Sequence, residues 1–182
     1  QPSFLTQVRE AAQALVALAA FDADKVLFAV LRHDHSQFSG YGVAHSQHVA
    51  ALCALLAHSL GWPAPERVDL VCAALTMNLS ILELQGTLAA RGGRLTPAHR
   101  AQVRRHPEDS AALLAQAGLS VGQWLTAVAN HHERADGSGY PHQSSELDAF
   151  SRLIHLVDVF TAKHAARYDR QPVPVAEAVS LL

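Results

Sequence analysis

Apolar residues in this chain recur three and four positions apart, and no alternating run of useful length interrupts the pattern. Val49, Leu52, Cys53, Leu56 and Leu60 follow His45 on one such stripe. Val68, Val71, Cys72, Leu75 and Leu79 form another. A repeat near 3.6 marks a helix that buries one face, whereas a half-buried strand would alternate. The expected fold class is therefore all-α.

Taken in order, Val8, Ala11, Ala12, Leu15, Leu18 and Ala19 predict a first helix over residues 6–20. Asp22 and Asp24 offer caps for a short second helix through Val30 and Leu31. The polar run from Arg32 to Gly42 reads as a linker, with His33, Asp34 and His35 as solvated loop residues. This divides the chain into a helical lead-in, 1–36, and a main domain, 37–182. The third helix is expected over residues 42–60, ended by Gly61-Trp62-Pro63, and the fourth over residues 65–84. Thr96-Pro97 is a cap followed by proline at the first helical position. That helix is expected to stop near His106-Pro107, because the residue before a proline is pushed from helical angles. A separate helix then runs through Leu113 and Leu114 to Gly118. Ser120 to Gln123 reads as a capping box opening the next helix, whose stripe of Val121, Trp124, Leu125 and Val128 leads to His132. A further helix covers residues 149–167, with Asp158 beside its apolar face, and a last short one covers Val175 to Leu182.

Composition bounds the function. The chain has 182 residues, 49% hydrophobic and 16% charged, which suits one globular domain. A net charge of -2 offers no strong pull toward nucleic acid or an anionic membrane. Cys53 and Cys72 lie in apolar stripes and read as free structural thiols, which suits a reducing cytoplasm. No apolar run approaches the ~20 residues of a membrane span, and no signal peptide opens the sequence. Gln1 in place of Met reads as a fragment of a longer protein, with any sensor or membrane part outside it.

The chemistry-bearing residues are histidines. His131 and His132 close a helix and are followed by Glu133, Asp136 and the run Gly137-Ser138-Gly139-Tyr140-Pro141. The glycines allow backbone angles closed to other residues, and Pro141 stops a helix from continuing. Imidazoles on a rigid end thus stand beside a tight loop able to wrap a ligand. His45, His106 and Asp158 sit on or near the inward sides of other helices. Facing helices of a bundle assemble metal sites in this way. Any one of these histidines alone reads as a hydrogen-bonded core residue. A pair at one helix end with a third at a helix–proline break reads as a nitrogen-rich metal site.

The string HHE-x-x-DG-x-GYP, His131 to Pro141, resembles the signature of the HD-GYP family. Three other segments are similar to that family: HSQHVA from His45, LTPAHRAQVRRHPEDSAALL from Leu95, and RLIHLVDVF from Arg152. The resemblance implies an HD-type helical bundle and a metal-dependent phosphodiesterase that opens cyclic di-GMP. It places His45, His106, His131, His132 and Asp158 at metal-ligand positions. It also implies ligand binding by Asp136, Gly137, Gly139, Tyr140, Pro141 and Arg167. Arg167 and Arg170 match the family's downstream arginines, while Tyr168 and Asp169 do not match.

The departures lie in the fourth helix. Where the family carries AALLHDIGKI, this chain carries AALTMNLSIL, Ala73 to Leu82. Met77 and Asn78 replace the motif His and Asp, Ser80 replaces a Gly, and Ile81 replaces a Lys. Ser110 replaces a further Gly after His106-Pro107, and Tyr41 stands in place of a Glu. In a two-metal hydrolase a carboxylate and a hydroxide bridge the ions. Asn78 is neutral, Met77 offers a soft thioether, and Ile81 brings no charge. Met77 also reads as a core filler and Asn78 as a helix cap. No catalytic residue is assigned, since Met77, Asn78 and Ile81 occupy the motif positions. The expectation is a degenerate member with weak or no phosphodiesterase activity, acting as a regulatory or ligand-binding domain. Its cofactor is one divalent ion (Fe, Mn, Zn or Ni) on His106, His131 and His132, or none. The implied partners are cyclic di-GMP and a diguanylate cyclase or other signalling protein, with no nucleic acid and no membrane within this fragment. Two alternatives stand beside it: an active phosphodiesterase with an incomplete metal site, and an interaction module docking through the GYP loop.

Overall fold

The computed structural model describes residues 2–31, 40–91, 95–164 and 177. Every regular element among them is helical. Helix α1 (Phe4–Phe21) starts at Ser3, whose Oγ accepts the Thr6 N–H at 3.2 Å. Asp22 Oδ1 accepts the Lys25 N–H at 3.0 Å and opens α2 (Ala23–Leu31). Helix α3 (Tyr41–Ser59) turns at Gly61 into α4 (Ala64–Thr76). These two form the centre of the bundle, and α1 lies against both.

Small residues let these axes approach closely. Ala50, Cys53 and Ala57 of α3 are fully buried with Leu70, Val71 and Ala74 of α4. Ala12, Val16 and Ala19 of α1 and Val26 of α2 enter the same core, so the lead-in helices share it with the rest. Trp124, Ala127 and Val128 of α7 (Gln123–Asn130) close it on another side. Phe150, Ile154 and Val157 of α8 (Ala149–His164) complete it, and Phe150 stacks on Trp62 with ring centroids 5.3 Å apart.

Four sequence expectations change. The fourth helix is not continuous to residue 84: α4 stops at Thr76, Leu79–Ile81 form a 3₁₀ turn, and α5 (Leu82–Arg91) follows. Conversely, His106-Pro107 ends nothing, because α6 (Pro97–Gln116) runs straight through it. Helix α7 has Gly122 rather than Ser120 at its N-cap, with no side-chain cap bond. The 27-residue stretch Ala64–Ala90 is apolar enough in composition to cross a membrane, contrary to the expectation that no run was. It is interrupted by the 3₁₀ turn, and half of its most apolar window is buried. The linker histidines His33 and His35, Asp34, the Gly92-Gly93 turn, Arg167, Arg170 and nearly all of the last helix lie outside the described residues.

Candidate metal centre and ligand pocket

A proline inside a helix removes the N–H that would bond the carbonyl four residues back. Pro107 does this to Val103, and the His106 side chain supplies the missing donor: His106 Nδ1 lies 2.7 Å from Val103 O. Its Nδ1 therefore carries the proton, and its Nε2 faces the bundle interior. His131 repeats the arrangement at the C-cap of α7, where carbonyls lack helical partners. Its Nδ1 lies 2.8 Å from Val128 O.

The two Nε2 atoms lie 3.0 Å apart. Burial lowers the pKa of His106, and lowers that of His131 well below its ordinary value, with the His132 and His106 imidazoles adding to the effect on His131. Both rings are thus neutral near pH 7, and two lone pairs face each other. A bound cation would satisfy both lone pairs at once. His132 supplies a third nitrogen: its ring centroid is 4.3 Å from that of His131 and 5.0 Å from that of His106. Burial pushes its pKa down to about 3. One donor nitrogen from each of the three lies within 4.8 Å of the others, so this cluster can hold a metal ion.

Asp158 of α8 stands on the other side of His132, with Oδ2 3.9 Å from His132 Nδ1. Its Oδ1 is 2.6 Å from His45 Nε2. Burial works to raise the Asp158 pKa, but the His45 hydrogen bond and the surrounding imidazoles outweigh it and hold the carboxyl below the usual range. All five residues singled out as ligands thus converge on one place.

A cavity of about 310 Å³ opens beside them, near the small end of ligand pockets. His45, His106, His132 and Asp158 line it, with Asn78 and Tyr140. Met77 does not; it is fully buried in the core, as its reading as a filler requires. Asn78 stands at the N-cap of the 3₁₀ turn but makes no side-chain cap bond, which corrects its reading as a cap. Ile81 and Tyr41 line the cavity. Tyr41 stacks on His45, centroids 5.8 Å apart.

In the loop after His132, Glu133 is fully buried. It accepts the His142 N–H at 2.5 Å and the Ser144 N–H at 3.0 Å. A Cβ on Gly139 would lie 2.5 Å from Arg134 N and 2.6 Å from His132 O, so only glycine fits there. Gly137 has a φ of 71°, and the Tyr140–Pro141 peptide is cis. In this loop Tyr140 lies on His132, ring centroids 4.6 Å apart, and lines the cavity. Asp136 turns away. It accepts from Ser138 N at 2.9 Å and lines a separate groove of about 350 Å³ with Arg134 and Arg152.

Sequence reasoning missed three participants. His155 Nδ1 holds His131 O at 2.9 Å; its place one turn before Asp158 was a usable signal. Gln85 lines the cavity, and no local pattern marks it. Arg104 lies over the Tyr140 ring at 5.7 Å, three residues along α6 from Pro107.

The HD domain family model matches residues 29–182. The chain is 34% identical over 148 residues to "3'3'-cGAMP-specific phosphodiesterase 1" of Vibrio cholerae, covering 79% of this chain and 34% of that protein. It is 28% identical over 166 residues to "Cyclic di-GMP phosphodiesterase PA4108" of Pseudomonas aeruginosa, covering 86% and 40%. The chain therefore spans well under half the length of these curated relatives. Its fold is similar to that of Bd1817, a HDG"Y"P protein from Bdellovibrio bacteriovorus, with a TM-score of 0.78 at 19% identity over 94% of this chain and 55% of that one. With the family model, the GYP loop and the all-helical bundle in agreement, the chain belongs to the HD-GYP family of HD domains.

Proposed function

We propose that this domain binds a 3′,3′-linked cyclic dinucleotide, cyclic di-GMP or 3′3′-cGAMP, in the cavity beside the histidines, and hydrolyses it weakly or not at all. The ligand class rests on what its relatives are named for acting on. One observation carries the loss of activity. The histidine half of the constellation is intact, while the facing half has Met77 in the core, a neutral Asn78, and His45 closed onto Asp158.

His106, His131 and His132 would hold one divalent ion, Fe, Mn, Zn or Ni, through their inward nitrogens. Such an ion supplies Lewis-acid polarisation of a phosphoryl oxygen. The chain's own groups do the rest. Tyr140 offers an aromatic face at the cavity, and Arg104 beside it offers a cation to a phosphate. Asp158 is ionised and already engaged by His45. A second ion would have one imidazole and one carboxylate, without the motif carboxylate that bridges two ions. Losing that clamp should lower the rate ~10³-fold or more. The setting is a regulatory domain in a bacterial cytoplasm, which the free buried thiols of Cys53 and Cys72 suit.

The test combines calorimetric titration with both dinucleotides, elemental analysis, and hydrolysis with added Mn or Fe(II). The Met77→His, Asn78→Asp, Ile81→Lys variant is run beside the parent. Binding without turnover, with turnover gained by the variant, is the expected result. Robust turnover by the parent that is lost on mutating His45 or Asp158 would show an active phosphodiesterase. Neither binding nor turnover, with capture of a purified diguanylate cyclase, would show an interaction module.

A further inference from the structure

Asn78 is 2% exposed and lines the cavity, yet its Nδ2 has no hydrogen-bond partner. Asparagine is common at the start of a helix because its oxygen accepts a backbone N–H. Here it occupies that position and makes no such bond. Its amide is therefore not explained by the local backbone. A buried donor without an acceptor costs free energy that an apolar residue of similar size would avoid. Leucine stands at the next position and methionine at the one before, so apolar residues fit this turn.

The surroundings say what the amide can meet. Ile81, three residues on, lines the same cavity and brings no charge. His45 Nδ1 and Gln85 Oε1 are also buried without partners, and both residues line this cavity. Three buried polar atoms on this wall thus lack partners, among apolar neighbours that include Ile81 and Leu88. The amide N–H is a donor, so the atom it meets is an acceptor. The turn is joined to α6 at the backbone of His106, since Ser80 Oγ lies 3.1 Å from His106 O. Asn78 thus faces the cavity that the histidine cluster borders, where a phosphodiester would sit.

We propose that Asn78 Nδ2 donates a hydrogen bond to a non-bridging phosphoryl oxygen of the bound cyclic dinucleotide, making Asn78 a ligand-binding residue. This rests on the cyclic-dinucleotide reading above. A neutral donor takes up the position that the family gives to a metal-bridging carboxylate. Phosphate recognition on this wall then proceeds through an amide rather than through a second cation.

The experiment pairs a residue change with a ligand-atom change. Affinity is measured calorimetrically for cyclic di-GMP and for its Rp,Rp and Sp,Sp bisphosphorothioates, in which sulfur replaces one non-bridging oxygen on each phosphate so that neither orientation of the symmetric ligand avoids it. The protein as purified is compared with Asn78→Leu, with metal content checked in both and folding checked by circular dichroism. The parent is expected to bind one stereoisomer ~10-fold more weakly than cyclic di-GMP, and the Leu variant to bind cyclic di-GMP ~10-fold more weakly than the parent does. In the variant the stereoisomer difference should vanish at unchanged metal content. If Asn78→Leu does not fold, Asn78→Ala carries the same comparison. Full affinity in the folded variant, or an unchanged stereoisomer difference, overturns the role of Asn78 and leaves dinucleotide binding standing. No binding of cyclic di-GMP or 3′3′-cGAMP by the parent overturns both.

Discussion

Ser80 Oγ and Ser110 Oγ lie 3.0 Å apart, joining the two places where this chain has serine and the family pattern has glycine. Ser80 N–H also points to Ser110 Oγ at 3.2 Å, and Ser80 Oγ donates to His106 O at 3.1 Å. Ser110 is therefore the donor between the two hydroxyls. The pair ties the 3₁₀ turn to the helix that carries His106, so the substitutions act together. Ser80→Ala and Ser110→Ala should each cost ~1 kcal/mol in urea unfolding. The double variant should cost ~0.5–1 kcal/mol less than the sum. Strict additivity would show that the contact contributes nothing.

Acid should destabilise the metal-free protein in a defined window. Burial lowers the folded pKa of His106, His131 and His132 below the ordinary value near 6.5, in His132 to about 3. Below about pH 6.5 the unfolded chain binds protons that the folded chain refuses, so stability falls as pH drops. Each proton contributes a slope of ~1.4 kcal/mol per pH unit until the folded pKa is reached. Asp158, also lowered, adds its loss only below about pH 3.8. Chelator-treated protein should show a urea midpoint that is level from pH 8 to 7 and declines from about pH 6.5 downward. A level midpoint to pH 5 would contradict the neutral histidine cluster.

Thr76 is the last residue of α4 and receives the Trp124 Nε1–H at 2.8 Å, while its own hydroxyl donates to Cys72 O at 2.7 Å. Thr76→Val keeps the shape and leaves a buried indole N–H unsatisfied. Thermal unfolding should show a loss of ~1–3 kcal/mol. Thr76→Val should cost less in a Trp124→Phe background, which lacks that N–H, than in the parent if the hydrogen bond rather than packing is responsible.

Glu133 holds the GYP loop by accepting two backbone N–H groups, from His142 and Ser144. Glu133→Gln replaces one acceptor with an NH₂ that faces a donor. The expected outcome is a loss of ~1–3 kcal/mol and faster proteolysis between residues 134 and 144. Dinucleotide affinity should fall with it, because Tyr140 is placed by this loop. Proteolysis at the parent rate would show that the carboxylate is dispensable.

The helices and the histidine pair were legible in the sequence because their signals are local. A repeat near 3.6 buries a face wherever it occurs, and His131-His132 before a Gly-Tyr-Pro loop needs no distant partner to be noticed. The positions of the breaks were not local. Pro107 looked like a helix end, yet the helix continues because the neighbouring His106 side chain bonds the carbonyl that proline leaves free. Met77 to Ile81 looked helical, yet the chain turns there, and Ser80 is held by Ser110 and His106 of α6, 30 and 26 residues away. Whether Asn78 caps a helix or faces a cavity likewise depended on which neighbours reached it. Periodicity reports only which face a residue takes. Who satisfies a buried polar atom is decided by contacts between helices, and those exist only once the bundle has packed.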